Sequence, residues 1–401
     1  MSKLSPLERR SALTLALVIS LRLFGLFLIL PVFSVYARSM PDATPALIGL
    51  ALGVYGIGQM CFQIPLGMLS DRIGRKPAIT LGLVVFAVGG AVAALSHTLA
   101  GIAIGRALQG MGAVAGAGSA LAADLTRDAH RGKVMGIIGA SIGLSFLLAL
   151  VLGPPLEAVA GLGGLFGITA LLALVAIVLL WSLVPTPDRT GHAAAAPRDL
   201  LRMLGDRRLL VLNGSVFFLH ALLTASFVGL PIVLTDALRL PISMQWRLYL
   251  PVMALAALAM GALLPRTRDS AAGARLVVAC VGALGLSLAG MALGAAHLVV
   301  IGVAATVFFS AFNLLEAALP SMVSRLVPTS MRGAAMGAYS TSQFFGAFVG
   351  GAIGGIALGA FGVEGVFASA SVLTLLWLPL AVRGVRYLDS PAVETTAPSM
   401  G

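Results

Sequence analysis

Apolar residues fill this chain in twelve stretches of about the length a helix needs to cross a bilayer, and every third stretch carries no strongly polar side chain. The third (Ala78 to Leu95), sixth (Leu162 to Trp181), ninth (Leu276 to Ala295) and twelfth (Val366 to Val382) contain no charged residue and no Asn, Gln, His or Tyr. The others read as Ala12 to Tyr36, Ile48 to Leu69, Leu99 to Leu121, Val134 to Leu156, Leu209 to Leu234, Leu248 to Leu264, Leu298 to Leu319 and Gly333 to Leu358. Among these lie Arg22, Gln59, Arg106, His220, Glu316 and Gln343, well inside their spans. Hydrocarbon penalises bare polar groups steeply, so the pattern sorts helices by solvent. The clean ones are expected to face lipid and the polar ones to surround a wet centre.

With 59% hydrophobic and 10% charged positions over 401 residues, and a mean hydropathy of +1.02, the chain cannot clothe a soluble globule. An all-α, multi-pass membrane protein is expected. The first apolar run is too long for the core of a signal peptide, and no small-residue cleavage site precedes the second span, so no cleavable leader is expected.

The net charge of +11 invites a nucleic-acid reading, which its distribution opposes. Of the 26 Lys and Arg residues, Arg22 and Arg106 lie inside spans, and Arg38, Arg239 and Arg247 fall on one side. All the rest fall on the side of the N-terminus. That asymmetry is the positive-inside rule, and it places both termini in the cytoplasm of a bacterial inner membrane. Cys61 and Cys280 sit in separate apolar helices without metal-ligand spacing, so neither a disulfide framework nor a metal site is expected. No Gly-Lys-Ser/Thr phosphate loop follows a strand, which leaves an ion gradient as the energy source and no cofactor in view.

Most connections are short. The exception runs from Val184 to Arg208, with Pro185, Pro187, Pro197, an Ala run and several charges, and marks a cytoplasmic linker between bundles at 1–183 and 209–401. The halves resemble each other: LTRDAHRGKVMGIIG from Leu125 and LVPTSMRGAAMGAYS from Leu326 keep Leu, Arg-Gly and Met-Gly in register, 201 positions apart (332 − 131). Duplication of this kind builds many secondary transporters, with the substrate site at the repeat interface.

Between the second and third spans, Gly67-Met-Leu-Ser-Asp71-Arg72-Ile-Gly74-Arg75-Lys76-Pro77 supplies a tight turn flanked by charge. Arg106-Ala-Leu-Gln109-Gly110-Met-Gly112 lies in the fourth span, and Ala149-Leu-Val-Leu-Gly153-Pro154-Pro155 in the fifth. These resemble the signature loop, the fourth-helix arginine motif and the fifth-helix antiporter motif of the major facilitator superfamily. With Ser20-Leu-Arg22-Leu-Phe-Gly25 and Tyr339-Ser-Thr-Ser-Gln343, the chain looks closest to its twelve-helix drug/proton antiporters. The resemblance implies two pseudo-symmetric six-helix bundles that rock about a central cavity. Ala149, Pro155 and Glu157 depart from the usual antiporter motif, and the first span lacks an acidic residue. The chain ends at Gly401 soon after the last span, so the soluble C-terminal domain of some relatives in this branch is not expected.

The resemblance makes Asp71 a gate, its carboxylate reaching the start of the eleventh span near Arg332 and Gly333, where a helix dipole is worth about 0.3–1 kcal/mol. Arg72, Arg75, Lys76, Asp124 and Arg131 would complete that cytoplasmic cluster; a plain topogenic cluster is the alternative. Arg106 belongs either to proton coupling or to a structural tie on backbone carbonyls of the first helix, and Arg22 is either a coupling residue or a salt-bridge partner. Glu316, with Asn313 one turn earlier, is the one carboxylate expected firmly inside a span. Burial disfavours a charged carboxylate, which suits a reversible proton carrier, against the alternative of a permanently paired acid. His220 titrates in a useful range but reads more readily as a packing residue. Tyr55, Gln59 and Gln63 on the second span, and Tyr339 and Gln343 on the eleventh, fit either interhelical hydrogen bonds or a cavity lining; because these are equivalent helices of the two halves, they are expected to line the cavity, with Asn313 among them. Phe217, Phe227, Phe308, Phe312 and Phe344 supply aromatic surface, which more often means packing.

The function expected is proton-coupled export of small, mostly apolar solutes by a monomer. Its partners are the solute, protons and the lipid bilayer, with no nucleic acid. A solute uptake symporter shares every feature except direction, and a non-transporting sensor lacks room for an output domain. An intramembrane enzyme would need a zinc-like His/Glu spacing or a Ser-His-Asp arrangement, and neither is found.

Overall fold

A computed structural model describes residues 4–186, 205–268, 270–328 and 331–388. Residues 187–204 of the expected linker lie outside the described residues. Among the described residues ten helices are long and apolar enough to cross a membrane, and two of them, Ala129–Leu183 and Arg332–Gly384, have 55 and 53 residues. At 1.5 Å per residue each is more than twice a bilayer's thickness, so each must fold back. They do so at Gly161 (φ 68°) and Gly362 (φ 70°), in the left-handed region that only glycine enters cheaply. The two turns are 201 positions apart (362 − 161), the offset of the sequence repeat, and the described chain therefore has twelve spans.

Local chemistry explains the boundaries. Ser5 and Glu8 form a reciprocal capping box on the first span (Pro6–Leu28), and Thr44, Thr98 and Asp206 cap the second (Pro45–Ile73), fourth (from Leu99) and seventh (Arg207–Ile232). Pro31 interrupts the first span, which resumes at Phe33–Ala37. The fourth span is also discontinuous, Leu99–Met111 then Ala115–Asp124, where the hydropathy pattern suggested one unbroken helix. Between the first and second spans Asp42 accepts the backbone N–H groups of Ala100 and Leu99, which hold its carboxyl below the usual range and tie that loop to the fourth span.

Each clean span exposes large apolar side chains, although the eighth, Ile242–Thr267, is the least buried of all. Leu81, Val84 and Val88 of the third, Leu171, Leu174 and Val178 of the sixth, Leu286 and Leu293 of the ninth, and Leu375 and Leu376 of the twelfth are exposed. Trp377 is the informative exception: it turns inward, donates its indole N–H to Ser215 Oγ at 3.1 Å and stacks on Phe218.

The two ends of the bundle differ. At the face opposite the N-terminus, called here the far face, one apolar core runs across both halves, joining Phe33, Ile48 and Leu150 to Phe227, Phe309 and Val366. A Cβ built on Gly351 of the eleventh span would stand 2.5 Å from the Gly49 carbonyl oxygen, and one on Gly355 would stand 2.6 Å from that of Pro45. Such spacing means that the backbones of the second and eleventh spans touch. Ser34 donates to the Phe227 carbonyl at 2.7 Å, and Arg38 grips Asp236 through two bonds of 2.6 and 3.1 Å, also across the halves. At the other, basic face the N-terminal half keeps its own core, which includes Leu15, Ile79, Leu121 and Ile138. There Gly67, Gly132, Gly136, Gly139, Gly143, Gly333 and Gly337 have nothing within 4 Å of where a Cβ would be. The bundle is closed at the far face and parted at the basic one.

Candidate functional site

The polar residues near the middle of the bundle form two clusters, one in each half. In the N-terminal half, Arg22 of the first span donates to the Tyr55 hydroxyl (2.8 Å) and to Gln59 Oε1 (2.9 Å). Gln59 in turn donates to Gln63 at 2.8 Å, so the i, i+4 ladder on the second span hangs from one guanidinium. Arg106 donates to the carbonyls of Ala51 and Leu52 at 3.2 and 2.9 Å. Its backbone ties are therefore to the second span, not the first. Both guanidiniums stack on aromatic faces, Arg22 5.1 Å from the Phe86 centroid and Arg106 5.5 Å from that of Tyr55.

No carboxylate pairs with either arginine in the described ion pairs, so the salt-bridge reading of Arg22 is replaced by bonding to neutral groups. Arg22 and Arg106 are 1% and 2% exposed, and Arg22 Nε and Arg106 Nη1 have no hydrogen-bond partner. Tyr55, Gln59 and Gln63 are likewise buried, as is Tyr339 of the eleventh span. The expectation that these four line an open cavity is corrected: three form an interhelical network, and Tyr339 is packed with its hydroxyl unpartnered.

In the C-terminal half, His220, Glu316 and Gln343 converge from the seventh, tenth and eleventh spans. Gln343 Nε2 lies 2.8 Å from His220 Nε2 and 3.3 Å from Glu316 Oε1, and His220 Nε2 lies 3.6 Å from Glu316 Oε2. His220 is thus more than packing, although its Nδ1 does face the Val216 carbonyl at 3.3 Å. Glu316 and Asn313 are half-buried. The cluster rests on Phe312, whose ring is 5.7 Å from that of His220.

Phe312 belongs to an aromatic partition that spans the halves. Phe146 of the fifth span meets Phe27 (5.1 Å between centroids), Phe309 (6.1 Å), Phe312 (6.2 Å) and Phe227 (6.4 Å). Phe227, Phe308 and Phe312 are buried, as packing residues would be, while Phe217 and Phe344 are half-buried.

At the basic face Arg75 pairs with Asp71 and, at 3.1 Å, with Asp124. Asp71 does not meet Arg332, whose Nε donates to the Ser324 carbonyl at 3.0 Å, and Arg131 donates to the Ala123 carbonyl. Arg72 is exposed, and Gly74 turns the chain at φ 102°. Lys76 leaves the cluster: it is buried, bonds the Val184 carbonyl at 2.8 Å and lies over the Trp181 ring, locking the end of the sixth span. Gly153 packs on the Leu28 carbonyl beside Pro31, so the Gly153-Pro154 motif seats against the break in the first span.

Two sets of residues escaped the sequence reading. Arg38 and Asp236 were visible only as loop charges, since nothing in the sequence pairs positions 198 apart. Glu157 looked like a residue past the end of the fifth span, yet that helix continues to Gly161 and buries Glu157 to 2% exposure. Its place three residues after Pro154 was the available signal.

The family model described as Major Facilitator Superfamily matches residues 15–318. The inner membrane transport protein YajR of Escherichia coli (strain K12) is 40% identical over 407 residues, covering 98% of this chain and 88% of that protein. The class D tetracycline resistance protein of Salmonella ordonez is 34% identical over 151 residues, 37% of each chain. The structure of a bacterial homolog to the human lysosomal transporter Spinster superposes with a TM-score of 0.75 at 14% identity, over 96% of this chain and 97% of that one.

Proposed function

The chain belongs to the major facilitator superfamily and is a multi-pass membrane transporter, and on that premise we propose that it exports small, mostly apolar solutes in exchange for protons across a bacterial inner membrane. The observation that carries the reading is the asymmetry of the bundle. Glycine-lined helix faces meet across the halves at the far face, whereas their counterparts on the fifth and eleventh spans at the basic face stand open. The basic face is the cytoplasmic one by charge, so this is the inward-open state of an alternating-access cycle. Tetracycline resistance relatives favour drug-like cargo and the outward direction.

In this cycle solute enters from the cytoplasm and reaches the aromatic partition between the two polar clusters. The basic face closes, Gly132, Gly136 and Gly333 find partners, and Phe146 parts from the C-terminal phenylalanines. A proton from the far side then takes the solute's place on the Glu316 cluster and leaves to the cytoplasm after the bundle rocks back. Arg22 and Arg106 keep the N-terminal half positive near this route.

Purified protein in liposomes, with an imposed pH gradient and tetracycline and ethidium as probes, tests the reading. Uphill movement of a probe toward the acidic side, abolished by a protonophore, is the expected result. Probe and proton moving in the same direction would make it a symporter, and absence of any probe-dependent proton flux would remove the coupling.

The basic-face charges supply a separate prediction. Asp71→Asn removes the carboxylate that Arg75 holds now and that the eleventh span's N-terminus would receive on closure. Export is expected to slow about tenfold, the equivalent of about 1.4 kcal/mol on the closing step. The inward-open population should rise, as read by spin-label distances across the basic face. Unchanged transport together with unchanged distances would leave Asp71 a topogenic charge.

A further inference from the structure

Glu157 is a buried carboxylate that the exchange cycle above does not use. It stands one turn beyond Gly153 and Pro154, is 2% exposed, and neither carboxyl oxygen has a hydrogen-bond partner. The hydroxyl of Tyr36, on the short helical segment Phe33–Ala37, is the group that acts on it, short of hydrogen-bonding geometry. Around it, Tyr36 and Leu156 pack with Leu28, Val32, Leu165 and Ile242. Ile242 belongs to the C-terminal half, so this small apolar cluster is part of the closure at the far face.

The charges of that face are engaged elsewhere. Arg38 holds Asp236, on which Arg239 also acts from the connection before the eighth span, Arg247 lies against the Trp246 ring, and Asp42 caps the fourth span. From the first span Tyr36 faces Glu157; from the connection before the eighth span the neighbour is the apolar Ile242. Among the described groups no cation acts on its carboxyl. An ionised carboxylate in such surroundings would cost several kcal/mol that one tyrosine hydroxyl does not repay, whereas a neutral one costs far less.

We propose that Glu157 is a second proton-binding site, a latch on the far face whose protonation is required for that face to close. When the halves part there, water reaches the carboxyl, its O–H bond breaks, the proton passes to water on the far side and a hydrated carboxylate remains. To reseal, the carboxylate takes a proton back from the same side before Ile242 and Tyr36 cover it. The proton returns to the compartment it came from, so the latch adds nothing to exchange stoichiometry. It makes resealing faster when the outside is acidic, which is when inward proton flow can drive export.

This inference rests on the alternating-access reading but not on proton coupling or on any cargo, and its tests need no transport. The protonated-carboxyl C=O stretch in the infrared spectrum of the purified protein should lose a component in Glu157→Gln at neutral pH. Loss of a carboxylate band instead would overturn the proposal. Spin labels at Ser39→Cys and Met244→Cys, with Cys61 and Cys280 replaced, report the far face. In the parent the long-distance fraction should grow severalfold as pH rises from acidic to alkaline, and in Glu157→Gln the short distance should persist across the range. An unchanged pH response in Glu157→Gln, with a melting temperature showing that the variant is folded, would overturn it. Glu157→Asp, which keeps an ionisable group, should restore the response; a response absent from both would mark a packing role. Glu316→Gln in the same label pair should keep the response, which separates failure of the latch from failure of the exchange site.

Discussion

Replacing Glu316 with Gln is expected to abolish proton-driven accumulation while leaving the fold and facilitated equilibration intact. A pH difference of one unit stores about 1.4 kcal/mol per proton, enough to hold a roughly tenfold solute gradient for each proton exchanged. Without an ionisable group at the exchange site that ratio falls to about one, whatever the size of the imposed gradient. The substitution is close to isosteric, and the amide oxygen of the new Gln can still accept from Gln343 Nε2, 3.3 Å away in the parent. A global loss of stability would therefore not be the cause. Glu316 and His220 stand 3.6 Å apart and share Gln343, so losing the imidazole alters what surrounds the carboxyl, and His220→Asn should slow transport without ending it. Accumulation ratios in proteoliposomes at several imposed gradients distinguish the cases. A Glu316→Gln protein that still concentrates a probe would take the carrier role from Glu316 and return it to the status of a paired structural acid.

Much of the architecture was readable because a bilayer reduces folding to a question of length and polarity. The absence of polar groups from the third, sixth, ninth and twelfth stretches marked helices with apolar outer sides, where Leu174, Val178 and Leu375 are exposed, though the eighth span turns out still less buried. The turns at Gly161 and Gly362 keep the 201-residue offset of the repeat around Arg131 and Arg332. What stayed hidden depends on which atoms meet in three dimensions. Arg106 was recognisable as buried, yet its partners are main-chain carbonyls, and carbonyls carry no sequence signature. Gln59 and Gln63 were polar at cavity-like spacing, yet Gln59 is taken up by Arg22 and Gln63 by Gln59, because a buried guanidinium takes the nearest neutral acceptors when no carboxylate is offered. The discontinuity at Gly112 to Val114 was invisible to hydropathy for a similar reason: it breaks backbone geometry without changing side-chain polarity.

A single added methyl group should shift the whole conformational balance, and the site for it is Gly351. Its Cβ would stand 2.5 Å from the Gly49 carbonyl oxygen and 2.9 Å from Gly53 Cα, so the second and eleventh spans could not keep their present approach in Gly351→Ala. The atoms in the way are backbone, which cannot swing aside as a side-chain tip would. Overpacking of this kind costs about 1–3 kcal/mol, and here the cost falls only on states in which the far face is closed. The closed-to-open ratio of that face should fall about 5- to 150-fold, and export should slow because the cycle lingers outward-open. Ala also favours helix over Gly, so the outward-open form loses nothing in local stability. Gly105→Ala serves as the contrast: its Cβ would stand 2.6 Å from the Gly89 carbonyl oxygen, but both residues lie in the N-terminal half and approach each other in every state. That variant should melt earlier with no change in balance. A cysteine at Ser34, 0% exposed in the far-face seam, reads the difference through an impermeant thiol reagent. Fast labelling is expected in the Gly351→Ala background and parental labelling in Gly105→Ala. Equal labelling in both would mean that the second–eleventh span seam is a static packing surface rather than the moving boundary of the transport cycle.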